Sequence, residues 1–483
     1  MQHSMVNEIQ QRLLELIHVW QVESWPADEP GTVTKLIELG RQVPDEEVHI
    51  RRQAITADNT AALIYTSGTT GSPKGCVITH RNFLAEAYAD YAGFPPLLRR
   101  GASILMFLPM AHVMAYSITV TCVYFGVIVG HTADLEHLAQ TFASFRPTWF
   151  PAVPRVCEKI YNTAHDKAGA GLKKWIFDAA DVTAVAYSRA KDHNAINVTL
   201  RCIHRIFDKL IYATLRSALG GRCIAIISGG APFEPRLAHF FRGVGITVFE
   251  GYGLTETSAA AVANTVVAYK VGTVGQALAG VSIRIAEDSE ILIKGEIVSP
   301  GYWNNDQRTR ESYRDGWFYS GDLGALDDEG FLRITGRKKE IIVTAGGKNV
   351  APTALEDHLR AHPLISQCMV VGDRRPFIGA LITIDKDFLS TWKRRHNKAT
   401  SAKIADLVND SQLRAEIQAA IDQANQAVSR AEGIKRFRIL AEDFTEAAGE
   451  LTPSMKLKRD VISARYADDI AAIYEQPATH PLP

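Results

Sequence analysis

Short apolar runs alternate with longer amphipathic stretches over about residues 57–270. The clearest runs, rich in β-branched and other apolar side chains, are 61–65, 103–108, 223–228 and 247–249. Runs of this length predict strands, and the stretches between them have the length of helices. Strands that alternate with helices are typical of α/β layers built on a largely parallel sheet.

The pattern changes near residue 270. Short apolar runs set off by Gly and Asp turns predict a small β-rich subdomain, with strands at 281–285, 290–294 and 331–335. After Gly336 the pattern predicts a smaller α+β unit. Its elements are a helix at 354–361, strands at 367–371 and 380–384, and a helix through Leu413, Ile417, Ile421, Ala424 and Val428. We therefore expect a large N-terminal domain over 1–336 and a C-terminal domain over 337–483.

Three further segments carry structural expectations. Residues 1–19 have no apolar core of a signal peptide, and Val6, Ile9, Leu13, Leu14 and Ile17 share one helical face, which predicts an amphipathic helix. Residues 113–130 are nearly free of charge, but 120–129 is rich in Val, Tyr, Phe and Ile. We favour a strand buried on both faces over a membrane span. The proline-rich end, 476–483, is expected to be a loose tail.

Composition narrows the class of protein. Lys plus Arg and Asp plus Glu each number 53, so the formal net charge is zero. The overall charge therefore does not favour binding to nucleic acid or to an anionic membrane. The scattered cysteines form no Cys-x-x-Cys pair, which favours a reducing, cytoplasmic setting. They are Cys76, Cys122, Cys157, Cys202, Cys223 and Cys368. Peripheral contact with a membrane stays open.

A Gly-, Ser- and Thr-rich segment over 65–75 follows the first predicted strand and precedes a predicted helix at 82–91. Its glycines allow tight turns, its hydroxyls donate hydrogen bonds and Lys74 adds a positive charge, as a polyphosphate requires. The spacing is not that of a Walker A loop. A plain polar linker is the alternative.

Four more segments occur downstream in a fixed order. Gly-rich turns follow predicted strands at 228–232 and 251–257, and motifs rich in charge lie at 315–324 and 336–349. Together with 65–75, this order resembles the adenylate-forming superfamily of acyl-CoA synthetases, luciferases and peptide-synthetase adenylation domains.

Within that superfamily the chain is most similar to bacterial long-chain fatty-acid–CoA ligases. The closer match is carried by 107–113, 151–159 and 344–352, and the resemblance runs from about 34 to 470. Cys157 stands where an aromatic residue is expected. The family has a longer region before the phosphate loop, so the first subdomain is expected to be incomplete. We accordingly expect a less stable and less active protein than an extended form.

The resemblance implies a nucleotide site, to which the following residues contribute. The phosphates of ATP would lie on Thr66, Ser67, Gly68, Thr69, Thr70, Gly71 and Lys74. The base would lie among Gly229, Gly230, Ala231, Gly251, Tyr252 and Gly253, with Tyr252 stacked on the adenine. Thr255 would bind the α-phosphate, Glu256 would bind Mg²⁺, Asp322 would accept from both ribose hydroxyls, and Arg337 would lie near the ribose and phosphates.

The resemblance also implies which residues take part in catalysis and in domain rotation. Lys456 would be the catalytic lysine, with Lys458 the alternative position. His112 would lie beside the reacting carboxylate, although an isolated histidine in an apolar segment is commonly a core residue. Gly346 and Gly347 would pass close to the pantetheine arm of CoA. Lys339 would be the hinge about which a mobile C-terminal domain rotates.

The implied activity is ATP-dependent formation of an acyl-adenylate and then an acyl-CoA, with a medium- or long-chain fatty acid, ATP and CoA as substrates. Two alternatives share these motifs. One is a fatty acyl-AMP ligase that loads a carrier protein. The other is a truncated, non-catalytic nucleotide-binding protein, which would be expected to have lost catalytic residues that are present here. No nucleic-acid partner is expected.

Overall fold

The computed structural model describes residues 33–66, 73–169, 171–452 and 455–475, together with single positions between 6 and 20. The chain divides into two compact units, residues 1–59 and 60–483. In the first unit, helices α1 (Val33–Gly40) and α2 (Asp45–Gln53) bury no side chain. Most of the helix predicted over 1–19, and the whole tail at 476–483, lie outside the described residues.

The second unit contains the remaining elements. Its α-helices are α3 (His80–Gly93), α4 (Val113–Phe125), α5 (Leu138–Phe145), α6 (Pro154–Ala168), α7 (Leu172–Asp192), α8 (Val198–Phe207), α9 (Ala213–Ala218), α10 (Pro235–Val244), α11 (Asp306–Ser312), α12 (Pro352–Arg360), α13 (Lys386–Arg395), α14 (Ile404–Leu407), α15 (Ser411–Asn425), α16 (Arg459–Arg465) and α17 (Ala467–Glu475).

The strands follow the same order along the chain. They are β1 (Thr60–Thr66), β2 (Lys74–Thr79), β3 (Ser103–Met106), β4 (Ile128–His131), β5 (Trp149–Ala152), β6 (Ala225–Ser228), β7 (Thr247–Leu254), β8 (Ala259–Ala263), β9 (Gln276–Ala277), β10 (Ser282–Ile285), β11 (Glu290–Lys294), β12 (Gly301–Tyr302), β13 (Tyr313–Arg314), β14 (Trp317–Leu326), β15 (Leu332–Arg337), β16 (Ile342–Val343), β17 (Asn349–Val350), β18 (Ile365–Val371), β19 (Ile378–Ile384) and β20 (Ile434–Ile439).

The central layer is a 7-stranded sheet in the order β4-β3-β5-β6-β7-β8-β9. Pairing is parallel from β4 to β7 and antiparallel from β7 to β9. Successive side chains of β3 enter different cores, since Leu105 packs in one apolar cluster and Ile104 and Met106 in another. A sheet covered on both faces is what continuous apolar strands require. The predicted α/β layers are thus confirmed.

The smaller units also agree with the predicted β-rich subdomain and α+β unit. Strands β10, β11, β14, β13 and β15 form a 5-stranded antiparallel sheet. Downstream, β18, β19 and β20 form a mixed sheet. The side chains of α12, α13 and α15 share one buried apolar cluster with it. The boundary at residue 336 between two domains remains a prediction.

One element prediction is wrong. Residues 120–129 do not form one strand, because helix α4 continues to Phe125, Gly126 ends it at a φ of 70° and β4 begins at Ile128. Its buried positions Ala115, Ile118 and Cys122 recur at helical spacing, which outweighs the β-branched composition. No helix among the described residues is long and apolar enough to cross a membrane.

The predicted helix at 82–91 is confirmed, since it lies within α3 (His80–Gly93). A strand that was not predicted precedes it. Lys74 opens strand β2, which pairs antiparallel with β1 through Thr66 and Lys74, so the Gly/Ser/Thr-rich loop connects the two strands of a hairpin. Alternating burial of Cys76 and Ile78 explains the strand, and Thr79 then caps the helix through a reciprocal hydrogen-bond pair with Asn82.

Candidate active site

The Gly-rich turn after β6 lies beside the Gly-rich second half of β7. The two strands are parallel neighbours with Ser228 opposite Glu250. Residues 229–231 leave the sheet at this point, whereas 251–253 do not form the turn expected from the sequence but continue in β7 and pair with β8. A Cβ on Gly229 would lie 3.3 Å from the sulfur of Met114 and 3.5 Å from the carbonyl oxygen of Gly251. These segments border the carboxyl ends of the parallel strands, where open α/β sheets bind ligands, and we refer to the space beside them as the cleft.

The half-buried carboxylate of Glu250 links the two segments. Glu250 accepts a hydrogen bond from the backbone N–H of Phe233 at 3.1 Å. Burial raises the pKa of Glu250 to about 8. The loop that contains Gly229, Gly230 and Ala231 is thereby tied to β7, the strand that carries Tyr252.

Tyr252, Asp322 and Arg337 form one wall of the cleft. Asp322 and Arg337 are cross-strand partners on β14 and β15, and Arg337 Nε lies 3.1 Å from Asp322 Oδ1. The Tyr252 hydroxyl donates to Asp322 Oδ2 at 2.8 Å. Burial raises the pKa of Asp322, and the charge of Arg337 acts in the opposite direction. The wall offers an oriented carboxylate beside a fixed cation.

Lys456 reaches this wall from the C-terminal part of the chain. It lies in the turn between Leu451 and Leu457, where its backbone N–H donates to Thr452 Oγ1 at 3.0 Å. Its side chain keeps access to solvent. Desolvation and then the charge of Arg337 lower the pKa of Lys456, while Asp322 raises it. Lys456 is therefore close enough to Asp322 and Arg337, more than a hundred positions away in sequence, for their charges to act on it.

The segment after Tyr252 carries the carboxylate expected to bind a metal. Thr255 opens a short 3₁₀ turn, Thr255–Thr257, and is half-buried. Glu256 is buried and accepts from the Tyr302 hydroxyl at 2.7 Å. Lys74 Nζ lies 5.1 Å from the centre of the Tyr302 ring. Burial lowers the pKa of Lys74 and the Glu256 charge raises it.

The described residues include no cluster of three or more His, Cys, Asp or Glu side chains suited to a metal ion. Mg²⁺ on a nucleotide needs only one or two carboxylates, because phosphate oxygens and water complete its octahedral shell. Glu256 at the edge of the cleft, near the cation of Lys74, fits that arrangement.

His112 lies at the start of helix α4. It is half-buried, and its backbone N–H donates to the carbonyl of Pro109 at 3.0 Å. Met114, in the first turn of the same helix, lies beside Gly229. His112 therefore lies at the end of α4 that approaches Gly229, and it is only partly buried.

The expected hinge is held on both sides by ion pairs. Lys338 Nζ contacts Asp288 at 2.5 Å and Glu290 at 3.0 Å, whereas Glu340 accepts from Arg459 at 3.4 Å. Lys339 between them is exposed, yet its charge lowers the pKa of Lys74. The hinge segment therefore passes close to the cleft.

Gly346 and Gly347 lie in the turn between β16 and β17. Gly347 has a φ of 76°, and no atom lies within 4 Å of the position that a Cβ would take. Lys348 beside it pairs with Glu432 at 3.1 Å. None of the described contacts joins this turn to Asp322 or Arg337, so the structure does not bring it into the nucleotide wall.

Thr66 ends β1 opposite Lys74. The remaining loop residues, Ser67, Gly68, Thr69, Thr70 and Gly71, lie outside the described residues. Tyr302 and Glu340 are cleft residues that sequence reasoning missed. Neither belongs to a periodic pattern, and their partners Glu256 and Arg459 are distant in sequence, so no local signal marks them.

This arrangement agrees with the protein families to which the chain is similar. Residues 2–303 match the AMP-binding enzyme family and residues 339–478 match the AMP-binding enzyme C-terminal domain. The chain belongs to the AMP-binding enzyme family.

Individual relatives are fatty-acid–CoA ligases. The chain is 52% identical over 447 residues to "Long-chain-fatty-acid--CoA ligase FadD15" of Mycobacterium tuberculosis, covering 92% of this chain and 74% of that protein. It is 32% identical to "Long-chain-fatty-acid--CoA ligase ACSBG2" of Gallus gallus, covering 91% of this chain and 62% of that protein.

Solved structures support the fold. The anthranilate CoA ligase AuaEII in complex with anthranoyl-AMP aligns with a TM-score of 0.66 at 17% identity, covering 97% of this chain and 77% of that one. O-succinylbenzoate CoA synthetase from Bacillus subtilis, with ATP and magnesium, aligns with a TM-score of 0.58 at 22% identity, covering 84% and 70%.

Proposed function

We propose that the chain is an ATP-dependent long-chain fatty-acid–CoA ligase that forms an acyl-adenylate and then an acyl-CoA. The observation that carries the proposal is the set of Tyr252, Asp322 and Arg337, joined by a 2.8 Å hydrogen bond and a 3.1 Å ion pair, whose charges also act on Lys456. A non-catalytic nucleotide-binding protein would have no need of a lysine near that set. Similarity to fatty-acid–CoA ligases over most of the chain supports the substrate class.

In the first half-reaction the fatty-acid carboxylate attacks the α-phosphorus of ATP, and pyrophosphate leaves. Both reactants are anions, so positive charge aimed at the reacting phosphate lowers the barrier. Lys456 and Lys74 would supply that charge from opposite sides, and Thr255 would donate to the α-phosphate. Glu256 would hold Mg²⁺, which neutralises phosphate charge when bound.

The nucleotide would be oriented by the wall described above. Asp322 would accept from both ribose hydroxyls while Arg337 holds its carboxylate in place. Tyr252 would contact the adenine through its ring, between Gly251 and Gly253 and facing Gly229, Gly230 and Ala231. Because its hydroxyl already donates to Asp322, the base and ribose contacts would share one fixed geometry.

In the second half-reaction the CoA thiol attacks the acyl carbonyl and AMP leaves. Gly346 and Gly347 would lie along the pantetheine arm, and His112 would lie beside the acyl carbonyl. Since the described contacts keep that turn apart from the wall, a rotation of the domain 337–483 about Lys339 is required. The ion pair of Arg155 with Asp385, at 2.8 Å across the proposed domain boundary, is one contact that the rotation would break.

Fatty acids are favoured over amino acids by the chemistry of the cleft. An amino acid needs an acidic partner for its ammonium group. Near residues 249–258 the candidates are Glu250 and Glu256, which are engaged by Phe233 and Tyr302. Helix α4 supplies an apolar wall from Val113 onward.

All six cysteines are free thiols and five are buried, which supports a cytoplasmic setting.

Pyrophosphate release with fatty acids from acetate to palmitate, with and without CoA, tests the proposal. We expect the highest kcat/KM for a medium- or long-chain acid, with acyl-CoA formed in proportion to pyrophosphate. A preference for acetate would contradict the substrate class. Adenylate that transfers only to an acyl carrier protein would indicate the carrier-protein ligase instead.

A further inference from the structure

Helix α8 and the π-helical turn after it, Asp208–Tyr212, present an apolar face to solvent. Val198 is 75% exposed, Ile206 58% and Leu210 57%. The opposite side of the same helix is the one that packs, since His204 hydrogen-bonds the carbonyl of Gly243 at 2.7 Å. The helix is therefore docked on the protein by one side while a second, exposed side stays apolar.

The exposed side also carries cations. Arg201, Arg205 and Lys209 recur every four residues, all exposed, and none forms an ion pair with a described residue. The acid of this segment, Asp208, is already paired with Arg216 at 2.7 Å. On a chain with zero formal net charge, this is a local excess of positive charge.

The neighbouring helix α7 also exposes apolar side chains. Along α7, Leu172, Trp175 and Val182 are 71%, 67% and 69% exposed and follow a helical spacing of three and seven residues. The two helices touch through the rings of Tyr187 and His204, whose centres are 3.8 Å apart. Exposed aliphatic side chains, a tryptophan and flanking cations are the features of helices that lie in a membrane interface.

We infer that the exposed side of 198–210 docks the protein on an anionic lipid bilayer surface. The aliphatic residues would enter the boundary between headgroups and acyl chains, and Arg201, Arg205 and Lys209 would contact lipid phosphates. A protein partner is less favoured, because three unpaired cations match a uniformly negative surface and the one acid of the segment, Asp208, is neutralised by Arg216. The inference goes beyond the proposed function and does not depend on it.

Cys202 provides a site for a fluorescent label. It lies within the exposed side, and it is the one exposed thiol among the six cysteines, all of which the structure describes. A nitrobenzoxadiazole label on Cys202 of the full chain should brighten and shift to the blue on vesicles of equal phosphatidylglycerol and phosphatidylcholine. The signal should be absent on pure phosphatidylcholine and largely lost in about 0.5 M salt, which screens surface charge.

Two variants remove separate components of the surface. Arg201→Gln/Arg205→Gln/Lys209→Gln should weaken vesicle binding by roughly 100-fold, since each of the three cations near an anionic surface contributes about a factor of five. Ile203→Ser/Ile206→Ser should abolish the blue shift while leaving the salt-sensitive charge in place. Val267→Ser, which alters an 85% exposed side chain elsewhere, is the matched control and should bind like the parent.

Each variant should keep the parental melting temperature, because the altered side chains are exposed, and the parental rate with octanoate in vesicle-free solution. Failure of the proposed function would instead appear as loss of that rate in the parent. The inference is overturned if the parent ignores anionic vesicles in a flotation assay, or if all variants bind like the parent. It is equally overturned if a folded charge variant and a folded aliphatic variant both keep the blue shift.

Discussion

The nucleotide wall and the Gly346–Gly347 turn differ in how firmly they are built. Asp322 and Arg337 are cross-strand partners, and Tyr252 closes the set with a 2.8 Å hydrogen bond. The turn lies instead between two-residue strands, and a Cβ on Gly347 would have no neighbour within 4 Å. We infer that this structure is preorganised for the first half-reaction. The second half-reaction requires the Gly346–Gly347 turn to change its position.

The largest expected effect separates the two half-reactions. Lys456→Ala should lower adenylation by about 100-fold or more, because a charge aimed at a developing anion is lost. Thioester formation from supplied acyl-adenylate should stay near the parental rate. Pyrophosphate release and single-turnover acyl-CoA formation give the two rates. The control, Lys458→Ala, should leave both rates unchanged. An equal loss of rate in adenylation and in thioester formation would contradict the distinction between the nucleotide wall and the Gly346–Gly347 turn.

The next variant should affect both half-reactions, since the nucleotide stays bound throughout. Asp322→Asn keeps an acceptor for Tyr252 but loses the charge held by Arg337. We expect the KM for ATP to rise by roughly 10- to 100-fold, as for loss of a charged hydrogen-bond partner. Isothermal binding of AMP provides an independent readout. Asp327→Asn, in a turn where the carboxylate pairs with Lys270, should bind AMP normally.

A smaller effect is expected at the Gly346–Gly347 turn. Gly347→Ala places a Cβ at a φ of 76°, which costs about 1 kcal/mol, and crowds the expected path of the thiol. We expect a decrease of about 5- to 10-fold in thioester formation with unchanged adenylation. Gly330→Ala is a matched control, with a φ of 81° and equally open space. A loss in adenylation would show that the turn contributes to the nucleotide wall.

The smallest effect concerns stability and pH at the base of the wall. Burial raises the pKa of Glu250 from 4.5 to about 8, so the folded protein holds that proton more tightly than the unfolded chain. Stability should therefore fall as the pH rises from about 4.5 to about 8, and Glu250→Gln should remove that fall. At pH 8.5 the difference should be about 1 to 3 kcal/mol. Thermal unfolding at several pH values measures it, with exposed Glu287→Gln as control.

The sequence predicted the layers and the motif positions well, because both have local signals. Apolar runs marked strands β6 and β7, and the Gly-rich segments 229–231 and 251–253 lie side by side, although the second continues in β7 instead of forming a turn. What it missed depends on distant partners. Tyr302 gains a role only through Glu256, and Glu340 only through Arg459. The roles assigned to individual site residues remain predictions.

Helix α4 shows a different limit. Its β-branched and aromatic residues favour a strand locally, yet Ala115, Ile118 and Cys122 pack on the sheet at helical spacing. Tertiary packing decides such a segment, because the propensity differences are small compared with the burial of a whole face. The same reason applies to Lys74, whose strand is set by pairing with β1.

Exchange of labelled pyrophosphate into ATP, with palmitate present and CoA absent, tests the central claim most directly. Reversible formation of an acyl-adenylate in this conformation requires exchange that depends on palmitate and is lost in Lys456→Ala. We predict that outcome, with exchange undiminished in Gly347→Ala. Exchange that appears only when CoA is added, or that persists at the parental rate in Lys456→Ala, would contradict the account.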